Sequence, residues 1–427
     1  MTGGTDGLND DARTTARLDP ALSTPKRERG ALAATSGAHF LHDGIADSLY
    51  VLLPIWAQSF GLNYTQVGSL KMAYSAAMAA FQMPAGVLAE AYGERTLLVA
   101  GTILAGGPFA GMALAEGFYS LFLVILVVGV CSAVQHPLSS TIISQAYPAL
   151  KRRTALGVYN FVGDLGKMCV AFGVAVAAGA IGWQATATGY GVIVAAAGVT
   201  LFFVLQHYSL GQPRALESEP VAQPDKAVKL RGLHLTDARG FGLLSCIHAI
   251  DSAGRTGALT LLPFLLLQRG SSPATVGFAL ACIFAGGAVG KLACGLLADR
   301  IGIIRTVVIT EIATAVVIGA SLLLPLTLVI ALMPLLGIAL NGTSSVLYGT
   351  VTDFVPSDRQ ARAFGFFYTV GSAAGGSSPV MFGVLSDLLG LTQALLVLSV
   401  VTALTVPVGL MLRPHIANHA GRLDADE

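Results

Sequence analysis

Twelve runs of predominantly apolar residues fill most of this chain, and they constrain its fold more than any other feature. Their approximate bounds are 31–58, 66–89, 96–115, 119–146, 154–180, 185–207, 239–267, 274–298, 304–325, 328–354, 361–385 and 391–412. A bilayer's hydrocarbon core is about 30 Å thick, so a crossing helix needs about 20 apolar residues. Within lipid every backbone N–H and C=O must find a partner inside the protein, and a helix does this within one segment. The expected fold is an all-α membrane protein of twelve transmembrane helices. Composition agrees: 54% of the 427 residues are apolar and 11% charged, with a mean hydropathy of +0.70. Soluble domains carry about 25% charged residues.

The runs divide into two sets of six. Residues 31–208 form an N-terminal six-helix bundle, 209–238 a polar linker and 239–412 a C-terminal six-helix bundle. Residues 1–30 are polar, lack the apolar core of a cleavable signal and read as a disordered tail, and 413–427 read as a second tail. The two bundles repeat each other. His39 and His248, Pro54 and Pro263, Gly86 and Gly295, Glu90 and Asp299, and Gly93 and Gly302 are each 209 positions apart; Pro148 and Pro356, Gly157 and Gly365, and Gly163 and Gly371 are 208 apart. Such an offset marks a duplicated unit, the architecture of secondary transporters with a site between the repeats. The connections on one side hold Lys26, Arg27, Arg29, Arg95, Lys151, Arg152, Arg153, Lys226, Lys229, Arg231, Arg300, Arg305, Arg359 and Arg362, while the other side has little beyond Arg269. Lysine and arginine favour the cytoplasmic side, so both termini and the linker are expected there, in a bacterial inner membrane.

Two related loops join spans 2 to 3 and 8 to 9: GVLAEAYGER (Gly86–Arg95) and GLLADRIGIIR (Gly295–Arg305). Small residues let helices approach, the acid can meet a helix end or a cation, and glycine makes a tight turn. These loops resemble the G-x-L-A-D-R-x-G-R-R-like signature of the major facilitator superfamily. The second copy matches at Gly295, Leu297, Ala298, Asp299, Arg300, Gly302 and Arg305; the first keeps Gly86, Glu90, Gly93 and Arg95 but has Ala91 where the base stands. Three further stretches resemble the fosmidomycin-resistance-like bacterial efflux proteins: HFLHDGIADSLYVLLPIW in span 1, GVCSAVQHPLSSTIISQAYP in span 4 and LGVYNFVGDLGKMCVAFG in span 5. That resemblance implies a cavity lined by spans 1, 4, 7 and 10, and proton-driven export of a small polar or anionic compound.

Charges inside a bilayer cost roughly 2.5–3.5 kcal/mol each on insertion scales and usually face a bundle interior or a wet cavity. In span 1, His39, Asp43, Asp47 and Tyr50 share one helix face, with His42 rotated away. Carboxylates in a low-dielectric setting and histidines are proton-titrating groups, so His39, Asp43, Asp47, His136 and Asp164 are the proton-coupling candidates. His136 precedes Pro137, where a kink is expected. In span 5, Asn160, Asp164 and Lys167 share a face; Lys167 either pairs with Asp164 or binds an anion once that acid is protonated. In span 7, His248, Asp251 and Arg255 share a face, and Arg255 either grips an anionic substrate or pairs with Asp251. Tyr50, Asn341 and Tyr348 complete the substrate-binding candidates. Lys291 lies within reach of the cavity, Lys71 is expected to snorkel from the outer end of span 2, and Glu311 to form a structural salt bridge. The run Gly371–Pro379 reads as close helix packing.

Several functions are excluded. A net charge of +1 with no concentrated basic patch argues against nucleic acid as a partner. The five cysteines lie in apolar segments without a CxxC pair, so they read as packing residues, with no disulfide and no metal site. The chain has no HExxH, GxGD or nucleotide-binding loop, so it is not read as an enzyme or a primary pump, and no cofactor is expected. What remains is a monomeric alternating-access transporter whose partners are a small molecule, protons and lipid. Proton-coupled export is expected; uptake of an organic anion and efflux of cationic drugs are alternatives. A non-transporting sensor would not need so many charges in the cavity.

Overall fold

The computed structural model describes residues 24–212, 235–355 and 360–426. The tail before residue 24, most of the linker with Lys226, Lys229 and Arg231, and the positions of Pro356 and Arg359 lie outside the described residues. The first half comprises α1 (Pro25–Phe60), α2 (Tyr64–Tyr92), α3 (Glu94–Gly111), α4 (Phe118–Ser132), α5 (Gln135–Ala146), α6 (Ala149–Ile181) and α7 (Trp183–His207). The second comprises α8 (Ala238–Gln268), α9 (Pro273–Ile301), α10 (Ile303–Ala320), α11 (Leu326–Thr350), α12 (Gln360–Leu389), α13 (Leu391–Ala403) and α14 (Thr405–Asp426). α14 therefore continues as helix beyond the span end expected at residue 412.

Fourteen helices among the described residues make twelve crossings, because α4 with α5 and α13 with α14 each form one broken rod. Proline explains both breaks. Pro137 and Pro407 have no N–H for the carbonyl four residues earlier, and helix continuity is lost at Ala133–Val134 and at Leu404. Among the described residues, eight helical segments are long and apolar enough to span a bilayer by length and composition. The other four long helices, α1, α2, α8 and α12, dilute their apolar runs with polar and charged residues. They are the elements that carry most of the site.

The sequence repeat reappears as matched contacts. His39 stacks on Tyr159 at 4.0 Å, and His248 stacks on Phe367 at 4.1 Å. Each ring is seated over a glycine: a Cβ on Gly163 would lie 2.4 Å from His39, and one on Gly371 would lie 2.1 Å from His248. Gly129 meets the Tyr74 carbonyl as Gly337 meets that of Ile283. A methyl group at any of these positions would collide, which is why glycine stands there.

The halves touch at the end that carries the turns at Gly61, Gly182, Gly270 and Gly390, here called the far end. There Asp387 of α12 accepts from the Tyr64 and Thr65 backbone N–H groups at 2.9 and 2.8 Å and from the Thr65 hydroxyl at 2.5 Å. Gln268 donates to the Tyr64 hydroxyl at 3.0 Å. Gly68 packs on the Pro379 carbonyl, Gly383 on that of Tyr64, and Gly277 on Ala175. At the opposite, basic end, with the Gly93 and Gly302 turns, Met83, Tyr92, Phe161, Leu292 and Tyr368 are exposed on α2, α6, α9 and α12. The structure is closed at the far end and open toward the basic end.

Candidate functional site

The polar groups of the first half gather around Asp43, which is 5% exposed. His39 Nε2 lies 3.2 Å from Asp43 Oδ2, His42 Nδ1 3.2 Å from Oδ1, Lys167 Nζ 3.3 Å from Oδ2 and His136 Nε2 3.8 Å from Oδ1. His136 reaches the group from α5, just after the Pro137 break. His42 joins as well, contrary to its expected orientation. It directly follows Leu41 on α1, and its ring folds back along the helix to the adjacent carboxyl.

The geometry fixes a proton. His39 Nδ1 lies 3.0 Å from the Tyr159 carbonyl oxygen, which can only accept, so Nδ1 carries hydrogen. Nε2, the other ring nitrogen, is the one nearest the Asp43 carboxylate. His39, Asp43 and His136 also place possible metal-donor atoms within 4.8 Å of one another. The Lys167 ammonium, 3.3 Å from Asp43, makes this a poor cage for a second cation.

Lys167 extends the network across the halves. It donates to Asp164 Oδ1 at 3.1 Å, and Lys291 of α9 donates to Asp164 Oδ2 at 2.5 Å. Asp43 and Asp164 thus neutralise two lysines in an alternating row. Asp47 and Arg255 face the same space, yet neither has an ion-pair partner within 4.0 Å among the described residues. The Asp251–Arg255 pair considered from the sequence is not formed.

These groups line two adjoining chambers that share Tyr50, Arg255 and Thr256. The inner one, about 170 Å³, is walled by Asp47, Asp164, Lys167, Lys291 and Asn341. The outer one, about 790 Å³, has Lys71, Tyr348, Tyr368 and the Gly371–Ser377 stretch of α12 on its wall. Lys71 is a correction to the sequence reading. It does not snorkel: it is 5% exposed, donates to the Ala46 carbonyl at 3.1 Å and lies 4.2 Å from the Tyr50 ring centre. A lysine alone in an apolar run announces a buried cation, but its helix position does not say which way the long stem turns. Asn160 is exposed, one turn nearer the basic end than Asp164.

His248 and Asp251, expected on the cavity wall, turn into their own half and are 1% and 3% exposed. Only Arg255 of that face reaches the chambers. Glu311 makes no salt bridge among the described residues; it is buried beside Asp251, Thr343 and Thr405.

A protein-family model settles what kind of machine this is. Residues 35–240 and 244–424 match the model of the Major Facilitator Superfamily. The chain belongs to the major facilitator superfamily. It is a multi-pass membrane transporter of small organic substrates, not an enzyme. It is 25% identical to the "Probable 4-methylmuconolactone transporter" of Cupriavidus pinatubonensis, over 85% of each chain. It is 26% identical to the "Fosmidomycin resistance protein" of Escherichia coli, over 47% of this chain and 51% of that one. Its fold matches a bacterial homolog of the human lysosomal transporter Spinster with a TM-score of 0.74 at 18% identity, covering 93% of this chain and 99% of the other.

The superfamily loops sit at the open, basic end. Gly93 and Gly302 have φ of 81° and 89°, the left-handed region that glycine tolerates. Gly86, Gly295 and Arg305 flank those turns, and the Arg95 N–H donates to the Gly211 carbonyl at 2.7 Å. Glu90, Asp299 and Arg300 are exposed. Glu94, which accepts from Gln145 at 2.8 Å, is one acid engaged at this end; it did not stand out in the sequence.

Proposed function

We propose that this protein carries a small organic anion across a bacterial inner membrane by alternating access, and that a proton travels with it. Asp43, Asp164, His39, His136 and Asp47 serve proton coupling. Lys167, Arg255 and Lys291 hold the anion, with Tyr50, Asn341 and Tyr348 shaping its pocket. The basic end faces the cytoplasm, following the distribution of lysine and arginine, and a single chain is the working unit.

The observation that carries this reading is the position of Lys167, 3.3 Å from Asp43 and 3.1 Å from Asp164. While both acids are ionised, the ammonium is already neutralised. A proton delivered to Asp43 weakens one of those contacts and leaves Asp164 alone to neutralise Lys167 and Lys291, so the chamber gains a positive charge for an incoming anion beside Arg255. Linkage is reciprocal, so the anion tightens proton binding by the same factor, typically 5- to 150-fold. Proton and anion then bind together, which favours uptake down the proton gradient over the export expected from sequence. A relative named for 4-methylmuconolactone transport is in keeping with a compact organic substrate.

The test begins with a thermal-shift screen against organic acids, phosphonates and cationic drugs, since a ligand stabilises the state that binds it. The best ligand is then followed into proteoliposomes. An acidic exterior should accelerate uptake, and Asp43→Asn should abolish that acceleration. Accumulation driven against the proton flow, or gradient-driven uptake unchanged in Asp43→Asn, would sink the proposal.

A further inference from the structure

The second half holds an acid pair that the reading above does not use. Asp251 of α8 and Glu311 of α10 are 3% and 2% exposed, and their carboxyls lie beside each other. Neither has an ion-pair partner within 4.0 Å among the described residues. Thr405 donates to Glu311 Oε2 at 3.5 Å, while the nearby Thr343 hydroxyl bonds to that of Thr310 at 2.7 Å. Two carboxyls side by side can hydrogen-bond to each other only when one of them carries a proton. Two bare negative charges in contact away from water would repel strongly. The proton belongs to the pair rather than to either residue.

The pair has a route to the cavity. One turn toward the basic end on α8, His248 Nε2 lies 3.4 Å from the Tyr348 hydroxyl, and Tyr348 lines the outer chamber. With Tyr348 donating to Nε2, a neutral His248 carries its hydrogen on Nδ1. Among the described residues that buried Nδ1 has no hydrogen-bond partner, and neither does the buried Asp251 Oδ2. An orphan donor and an orphan acceptor thus stand at i and i+3 on the same helix, neighbouring positions one turn apart.

We propose that Asp251 and Glu311 form a second proton-binding site, inside the C-terminal half, that exchanges with the cavity through His248 and Tyr348. In loading, Tyr348 gives its hydroxyl proton to His248 Nε2 and His248 gives its Nδ1 proton to Asp251. A hydronium ion in the cavity reprotonates the Tyr348 oxygen and becomes water, so the net transfer is one proton from cavity to pair, and the relay is restored once the ring returns to its first tautomer. The charged groups around the pair are few. Arg255 lies one turn beyond Asp251, with Asp47 and Tyr50 of α1 on the same chamber wall. The packed faces of α12, α13 and α14 present Phe367, Thr402 and Thr405. A deprotonated pair puts two negative charges behind Arg255 and weakens its hold on an anion; loading restores it.

Infrared difference spectroscopy of the full-length protein in lipid, without any substrate, tests this. A protonated-carboxyl band should be present at neutral pH in the wild type and in Asp43→Asn, and lost in Glu311→Gln and in Asp251→Asn. In heavy water the band shifts on exchange, and Tyr348→Phe should slow that shift at least tenfold. No band in the wild type, a band that Asp43→Asn alone removes, or a band that either folded acid variant retains would overturn the site. Exchange unaffected by Tyr348→Phe would overturn the route. If neither acid variant folds, the wild-type, Asp43→Asn and Tyr348→Phe measurements decide alone. Because Asp43→Asn is included, failure of this pair and failure of the Asp43 reading are distinguishable.

Discussion

Asp387 should govern how often the far end opens. Its carboxylate accepts three hydrogen bonds from the first turn of α2, two from backbone N–H groups and one from Thr65. The first N–H groups of a helix have no intrahelical acceptor, so this carboxylate from the opposite half caps α2. Each such bond must break when the halves part at that end. Bonds to charged groups contribute about 1.5–3 kcal/mol when buried, and a charge at a helix N-terminus about 0.3–1 kcal/mol. Asp387 is exposed, so the total deserves a heavy discount. A loss of about 1–2 kcal/mol in Asp387→Ala corresponds to a roughly 5- to 30-fold shift toward the far-end-open state. Spin labels at exposed Gln58 and Thr392, one near the far end of each half, report this directly. The wild type should give one short distance, and the variant should add a longer population. An unchanged distance distribution would show that the cap carries no weight in holding the far end shut.

Other outcomes follow from single contacts. Arg255→Lys keeps the charge but loses the planar fork, so binding of the best anion should weaken about 10- to 100-fold by calorimetry. Gly163→Ala places a methyl 2.4 Å from the His39 ring and should cost about 1–3 kcal/mol, read as a lowered melting temperature. Outside the membrane, Asp237 caps α8 and accepts from Gly240 and Arg239 at 2.9 and 3.1 Å, with His415 bonded to its other oxygen. The Gly240 N–H bond, assisted by His415 and the Arg239 N–H, holds its carboxyl below the usual carboxylate range. A depressed folded value gives stability above the ordinary carboxylate range that is lost as pH falls through the depressed one. Asp237→Ala should therefore cost about 1 kcal/mol at neutral pH and progressively less in acid, followed as melting temperature against pH.

The twelve crossings were legible because hydrocarbon imposes length and apolarity on every one of them. The repeat was legible too, and the His39–Gly163 and His248–Gly371 seats give it a physical cause. Direction was harder to read. A helix wheel groups His248, Asp251 and Arg255 on one face, but α8 lies between the cavity and its own bundle, and a face at that boundary serves both. His248 and Asp251 point inward to the bundle while longer Arg255 reaches the chambers. The same limit applies to Lys71, whose four-carbon stem can lead toward lipid headgroups or inward to Ala46. Glu311 is the one acid on α10, and only three-dimensional packing reveals that its neighbour is another acid. Asp387 and Thr65 are far apart in sequence, and their pairing depends on how the halves meet.

The central claim is that protonating Asp43 gives the chamber a positive charge for an anion. Calorimetry of the strongest anionic ligand, in two buffers of different ionisation enthalpy, counts the protons exchanged on binding. The wild type should take up about one proton per anion near neutral pH, and Asp43→Asn should take up none. Proton release on binding, or the same uptake in Asp43→Asn, would contradict the account.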